Sequence, residues 1–165
     1  MSFLRRRPVP SLVGPSALAL LLITVAGCSS TDGPAKAAVP SPDGKVTELC
    51  RNLHEELPER IDGLARKDPA PASELTAGWG DPAIILRCGI PKPAEMNDAE
   101  SDGVEADGVG WLMEQRDDGS FRFVTTLRRA YVEVSLPKSR ADGGLSPLTD
   151  LAPPIKKAIP EGIAD

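Results

Sequence analysis

Between Val109 and Leu136 the chain alternates. Val109, Trp111, Met113 and Gln115 are interleaved with Gly110, Leu112, Glu114 and Arg116. Phe121, Phe123, Thr125 and Leu127 are interleaved with Arg122, Val124 and Thr126, and Ala130, Val132, Val134 and Leu136 with Tyr131, Glu133 and Ser135. A period of two sends successive side chains to opposite faces of a strand. The breaks fall where turns belong: Asp117-Asp118-Gly119 suits a three-residue hairpin loop, Arg128-Arg129 marks a bend, and Pro137 ends the run. Strands joined this tightly pair antiparallel, because a parallel crossover needs a dozen or more residues.

The rest of the chain supplies elements to pack on such a sheet. "IILRCGI", after the Asp81-Pro82 turn, reads as a further strand with Ile84, Leu86, Cys88 and Ile90 on one face and Ile85, Arg87 and Gly89 on the other. In "KVTELCRNLHEEL", Val46, Leu49, Cys50, Leu53 and Leu57 fall at helical spacing on one stripe, with Asp43 or Ser41 as cap and Pro58 as stop. Leu148, Leu151, Ile155 and Ile159 suggest a closing helix, with Pro153-Pro154 marking where its regular part begins. Residues 59–78 read as loop, with a short edge strand around Ile61 and Leu64. The expected class is α+β: a two-layer unit in which an antiparallel β-meander sheet is packed by an N-terminal amphipathic helix and a short C-terminal helix.

The N-terminus bears on location. Arg5, Arg6 and Arg7 precede an uncharged stretch from Leu12 to Ala26, followed by "VAGC". That is the layout of a secretory signal peptide, and the apolar part is short for a membrane span. Leu4 before the arginines and Pro8 after them depart from a twin-arginine pattern, so general secretion is expected. "VAGC" resembles the lipobox of bacterial lipoproteins, which implies diacylation of Cys28; the alternative is an uncleaved anchor with Cys28 an ordinary thiol. The expected organisation is a lipoprotein signal peptide over 1–27, a lipidated flexible tether over 28–43, and a single globular domain over 44–165. The expected location is the extracytoplasmic face of the cell membrane, with the lipid anchor at Cys28. Removing residues 1–27 removes three of the 19 basic residues and none of the 24 acidic ones, leaving a net charge of 16 − 24 = −8. Such a chain has no electrostatic case for nucleic acid.

If Cys28 carries lipid, Cys50 and Cys88 are the remaining cysteines, in a compartment where disulfides persist. Both face the core by periodicity, one on a helix and one on a strand, and a disulfide between them is expected. His54 stands four residues after Cys50, a spacing that could place both on a metal with Cys88, but no fourth ligand is evident and the cysteines have a better use. No metal and no cofactor is expected. The acidic stretch from Glu95 to Asp107 mimics the first half of a calcium loop from Asp98 to Gly103, yet Val109 occupies the place of the bidentate glutamate. A solvated connector between strands is the expectation for residues 95–108. No catalytic residue stands out: there is no Gly-x-Ser-x-Gly elbow, and a thiolate nucleophile is lost to the disulfide. Trp79, Trp111 and Arg87 are the candidate partner or ligand surface, although both tryptophans also suit a place capping the core.

Cys50, Leu57-Pro58, "WGDPAIILRCG", Gly110-Trp111 and "YVEVSLP" resemble a family of small actinobacterial secreted proteins and lipoproteins classed as a domain of unknown function. The resemblance spans roughly residues 45–160, implies envelope localisation and a shared fold, and implies no activity. The expectation is a membrane-anchored, non-enzymatic binding or accessory lipoprotein with an envelope protein or cell-wall partner. The alternative is an envelope enzyme or small-ligand carrier acting on cell-wall material.

Overall fold

A computed structural model describes residues 33–163. In chain order it places α1 (Gly44–Glu56), β1 (Arg60–Ile61), β2 (Leu64–Ala65), β3 (Thr76–Trp79), β4 (Ile84–Cys88), β5 (Gly103–Ala106), β6 (Val109–Gln115), β7 (Phe121–Thr125), β8 (Val132–Leu136) and α2 (Ser146–Ala158). The class is α+β, with an antiparallel six-stranded sheet in the order β3-β4-β8-β7-β6-β5. Strands β5 to β8 form a meander, but β4 lies beyond β8 rather than ahead of β6, so the sheet is not a simple meander throughout. β4 and β8 thereby pair near the centre, with Leu86 opposite Val134 and Cys88 opposite Val132. Residues 89–102 must therefore carry the chain from β4 across to the far edge of the sheet.

Side chains on one face of the sheet, here called inner, include Ile84, Leu86, Cys88, Trp111, Phe123, Val132 and Val134. They share a single apolar cluster with Cys50 and Leu53 of α1 and with Leu148, Leu151 and Ile155 of α2. Asp43 caps α1, its carboxylate accepting from the Lys45 and Val46 amides at 2.8 and 3.0 Å. The disulfide Cys50–Cys88 joins α1 to β4 with Cα atoms 5.5 Å apart. Closing a chain segment of this length stabilises a fold by about 4 kcal/mol in the chain-entropy account.

Several expectations are corrected. The acidic run 95–108 contains a strand, β5, closed on β6 by Asp107-Gly108 at φ +46° and +75°. Asp62-Gly63 closes β1 on β2 in the same way, at +49° and +74°; both are two-residue turns whose positive φ values suit Asp-Gly. Residues 76–78, expected as loop, form the edge strand β3 together with Trp79. Helix α2 begins at Ser146 and runs through Pro153-Pro154. Pro147 occupies the first turn, where a missing N–H costs little, and Pro154 is buried with Leu151 and Ile155, so packing outweighs the lost hydrogen bonds. Ile90 does not share the face of Cys88. Gly89, at φ +86°, breaks the alternation, and Ile90 joins Leu112, Val124 and Tyr131 on the outer face.

The described chain enters beside β3 and β4. Lys36 pairs with Ala70, and the Arg87 guanidinium donates to the Ala38 carbonyl at 3.4 Å. Among the described residues no helix is long and apolar enough to cross a membrane.

Candidate binding cleft on the outer face

The outer face is built differently at its two ends. Over β4, β8, β7 and β6 it carries four charges in a row. Arg87 lies directly opposite Glu133 in register, and Arg122 lies opposite Glu114. Glu133, 3 % exposed, accepts from Arg87 Nε and Nη2 at 2.8 and 2.9 Å and from Arg122 Nε at 2.7 Å; Arg122 Nη1 reaches Glu114. Burial pushes the Glu133 carboxyl up, but the hydrogen bonds and charges of Arg87 and Arg122 outweigh it and hold the group below its ordinary value. For Arg122, burial works against the charge, and Glu133 and Glu114 reverse the effect and raise its pKa.

Toward β5 the same face is bare. Gly103 stands opposite Leu112, and Glu105 opposite Gly110, so two of these four outward positions carry no side chain. A Cβ at Gly110 would lie 2.6 Å from Thr126 Oγ1, so that position cannot be filled without movement. A Cβ at Gly103 would meet nothing closer than the Trp111 carbonyl at 3.6 Å. The crossing segment 89–102 arches past this bare patch, fixed by its own contacts: Asp98 accepts from the Glu100 amide at 2.9 Å, Ser101 donates to the Glu95 carbonyl at 2.7 Å, and Lys92 donates to Asn97 at 2.8 Å. Between them opens a cleft of about 620 Å³, within the range of ligand pockets. Leu112, Tyr131 and Met96 give it apolar walls, and Lys92, Glu95, Asp98, Asp102 and Glu105 border it.

Two aliphatic side chains stand exposed at its mouth, Leu127 at 72 % and Ile163 at 75 %. Alternation would turn Leu127 inward with Phe123 and Thr125. Instead its backbone takes φ +52°, a conformation that costs a leucine roughly 1–3 kcal/mol. The C-terminal segment holds it there. The Gly162 amide donates to the Leu127 carbonyl at 3.0 Å, the Arg129 amide to that of Pro160 at 3.1 Å, and the buried Arg128 guanidinium to that of Ile159 at 3.1 Å. A strained backbone that displays an apolar side chain to water is the kind of feature a binding surface explains.

A model of the family described as "Protein of unknown function (DUF3515)" matches residues 12–164. The chain belongs to this family. No curated protein and no solved structure matches it.

In this DUF3515 protein the three residues read from sequence as a partner surface are not brought together. Trp79 is sealed in the core, its Nε1 donating to the Pro58 carbonyl at 2.9 Å and its ring facing the Arg66 guanidinium at 6.0 Å. Trp111 is 1 % exposed and packs into the inner cluster while bordering the cleft floor; its Nε1 has no hydrogen-bond partner among the described residues. Arg87 is committed to Glu133. Cys50 and Cys88 are bonded to each other, and His54 stands against Arg66, whose Nη2 lies 3.0 Å from its Nε2. Burial, and then the Arg66 charge, lower the His54 pKa. Among the described residues no three His, Cys, Asp or Glu side chains converge as metal ligands. Cys28 lies outside the described residues. The residues that line the cleft, Gly103, Gly110, Leu127 and Tyr131 among them, carried no signal of chemistry in the sequence; Gly103 and Gly110, one on each strand of an Asp-Gly hairpin, were the nearest to one.

Proposed function

We propose that this protein is a lipid-anchored, extracytoplasmic binding protein of the cell envelope, without catalytic activity of its own, and that the outer-face cleft is where it meets its partner. The observation that carries the reading is the cleft itself, floored by bare glycines and fronted by Leu127, an aliphatic residue displayed at the cost of backbone strain. "VAGC" after an arginine-led apolar stretch supports acylation of Cys28, and a buried disulfide suits an oxidising compartment. In this reading the domain has two layers, with both helices on the inner face and the outer face left to the partner; the cluster shared by α1, α2 and the sheet supports it. The Trp79–Gly89 stretch and a composition of 15 Gly and 17 Pro support placing the chain among actinobacterial lipoproteins. The cleft's volume also favours a second reading, a carrier for a small solute of the envelope.

The test is made in cells that carry the full chain. A photo-crosslinking residue at position 127 should give an adduct of defined mass in the membrane fraction. The adduct should vanish when Gly103→Leu fills the cleft floor, and should not form from position 48 on the helical side. The Cys28→Ser chain should be found outside the membrane fraction. Equal adducts from both positions would overturn the cleft, and a processed Cys28→Ser chain that stays with membranes in high salt would overturn the anchor.

A further inference from the structure

Resting on the cleft reading, we infer that the occupant is an extended, cationic polypeptide segment that adds as a strand to β5 and places an apolar side chain in the cleft.

β5 is the last strand of the sheet. Its neighbour's Gly110 carbonyl accepts from the Thr126 amide at 2.8 Å, on the β7 side, and the Met113 amide donates to the Asp102 carbonyl at 2.9 Å. In an antiparallel ladder these directions alternate. Asp102 and Val104 therefore turn their backbone groups toward β6, while Gly103 and Glu105 turn theirs to the open edge. The next outward carbonyl, that of Asp107, is already taken by Lys156 Nζ at 2.7 Å. What remains, among the described residues, is a short unpaired template of the kind that strand addition uses. A small solute without peptide groups has no use for it.

Glu95, Asp98, Asp102 and Glu105 border the cleft with Lys92 as the one cation among the described residues that line it, and Lys92 is itself held by Asn97. An occupant bearing lysine or arginine is drawn in, and an acidic one is repelled. Gly103 and Glu105 share the outer face with the cleft, so an added strand has alternate side chains on that same face, and beside Gly103 no side chain of β5 stands between such a residue and Leu112.

The experiment uses the full mature chain in detergent and fluorescence anisotropy of short synthetic peptides. One alternates lysine with valine, one glutamate with valine, one serine with valine, and a fourth is the lysine peptide with its backbone amides methylated. The lysine peptide should bind at least about tenfold more tightly than the glutamate and serine peptides. Its affinity should fall as ionic strength rises from about 0.05 to about 0.5 M, and methylation or Gly103→Leu should abolish binding. Equal binding of the glutamate or serine peptide would overturn the cationic occupant, and equal binding of the methylated peptide would overturn strand addition. Failure of every peptide to bind at about 1 mM would overturn the inference whole. The cleft reading is judged separately, by the crosslink from position 127.

Discussion

The two ends of the outer face follow opposite rules. Over the central strands, each of the four charges has an opposite partner in reach, and the most buried of them, Glu133, is gripped by two guanidinium groups. Nothing there is left for a ligand to satisfy. Toward β5, side chains are missing at Gly103 and Gly110, the strand edge is unpaired among the described residues, and Leu127 is held out to solvent in a conformation leucine disfavours. Both ends belong to one sheet, so the contrast is not between ordered and loose structure. It separates a polar cover that completes the fold from the surface proposed here to meet a partner.

That comparison breaks most readily at Glu133. Glu133→Gln removes the charge that both arginines share, and the loss of one partner from a buried ion pair costs about 3–5 kcal/mol. Urea denaturation should show that loss, with the cleft's binding unchanged in the chain that remains folded. The effect should depend on pH in one direction. The Glu133 carboxyl is held below its ordinary 4.5 in the folded chain, so its contribution is full above about 4.5 and is lost as pH falls through the lowered folded value. The gap between the parent and Glu133→Gln should therefore close in acid; a constant gap would deny the ion pair its role.

At the other end, stability and binding should part company. Leu127→Asn should raise stability by about 1 kcal/mol, because asparagine tolerates a positive φ better than leucine does, while binding at the cleft weakens. A loss of stability would mean that Leu127 serves the fold. Gly103→Leu is the mildest case: with no close contact at its Cβ, it should change stability by no more than about 0.5 kcal/mol, yet remove binding.

The sequence made the central strands legible because their buried faces impose a strict period of two. It failed where a single residue reverses that period. Gly89 sends Ile90 to the outer face, and Leu127 is turned out by hydrogen bonds to residues 159–162, which no local pattern announces. Asp62-Gly63 and Asp107-Gly108 are hairpin signals that the chain does display. The second was masked by its acidic surroundings, which suit a solvated edge strand as well as a loop. Placing β4 beside β8 was beyond local reading, since it pairs strands that lie far apart in the chain. The cleft was harder still, being made of missing side chains and of a crossing segment whose course follows from that strand order. Trp79 and Trp111 drew attention as large rings, and the core claims both.

The central claim is tested most directly by two-dimensional NMR of the isotopically labelled mature chain titrated with the lysine–valine peptide. The account predicts that the amides of Gly103, Glu105, Leu112, Leu127 and Tyr131 shift progressively, while those of Glu133 and Arg122 stay in place. Shifts confined to the Glu133 ladder or to α1 and α2, with β5 unmoved, would contradict it.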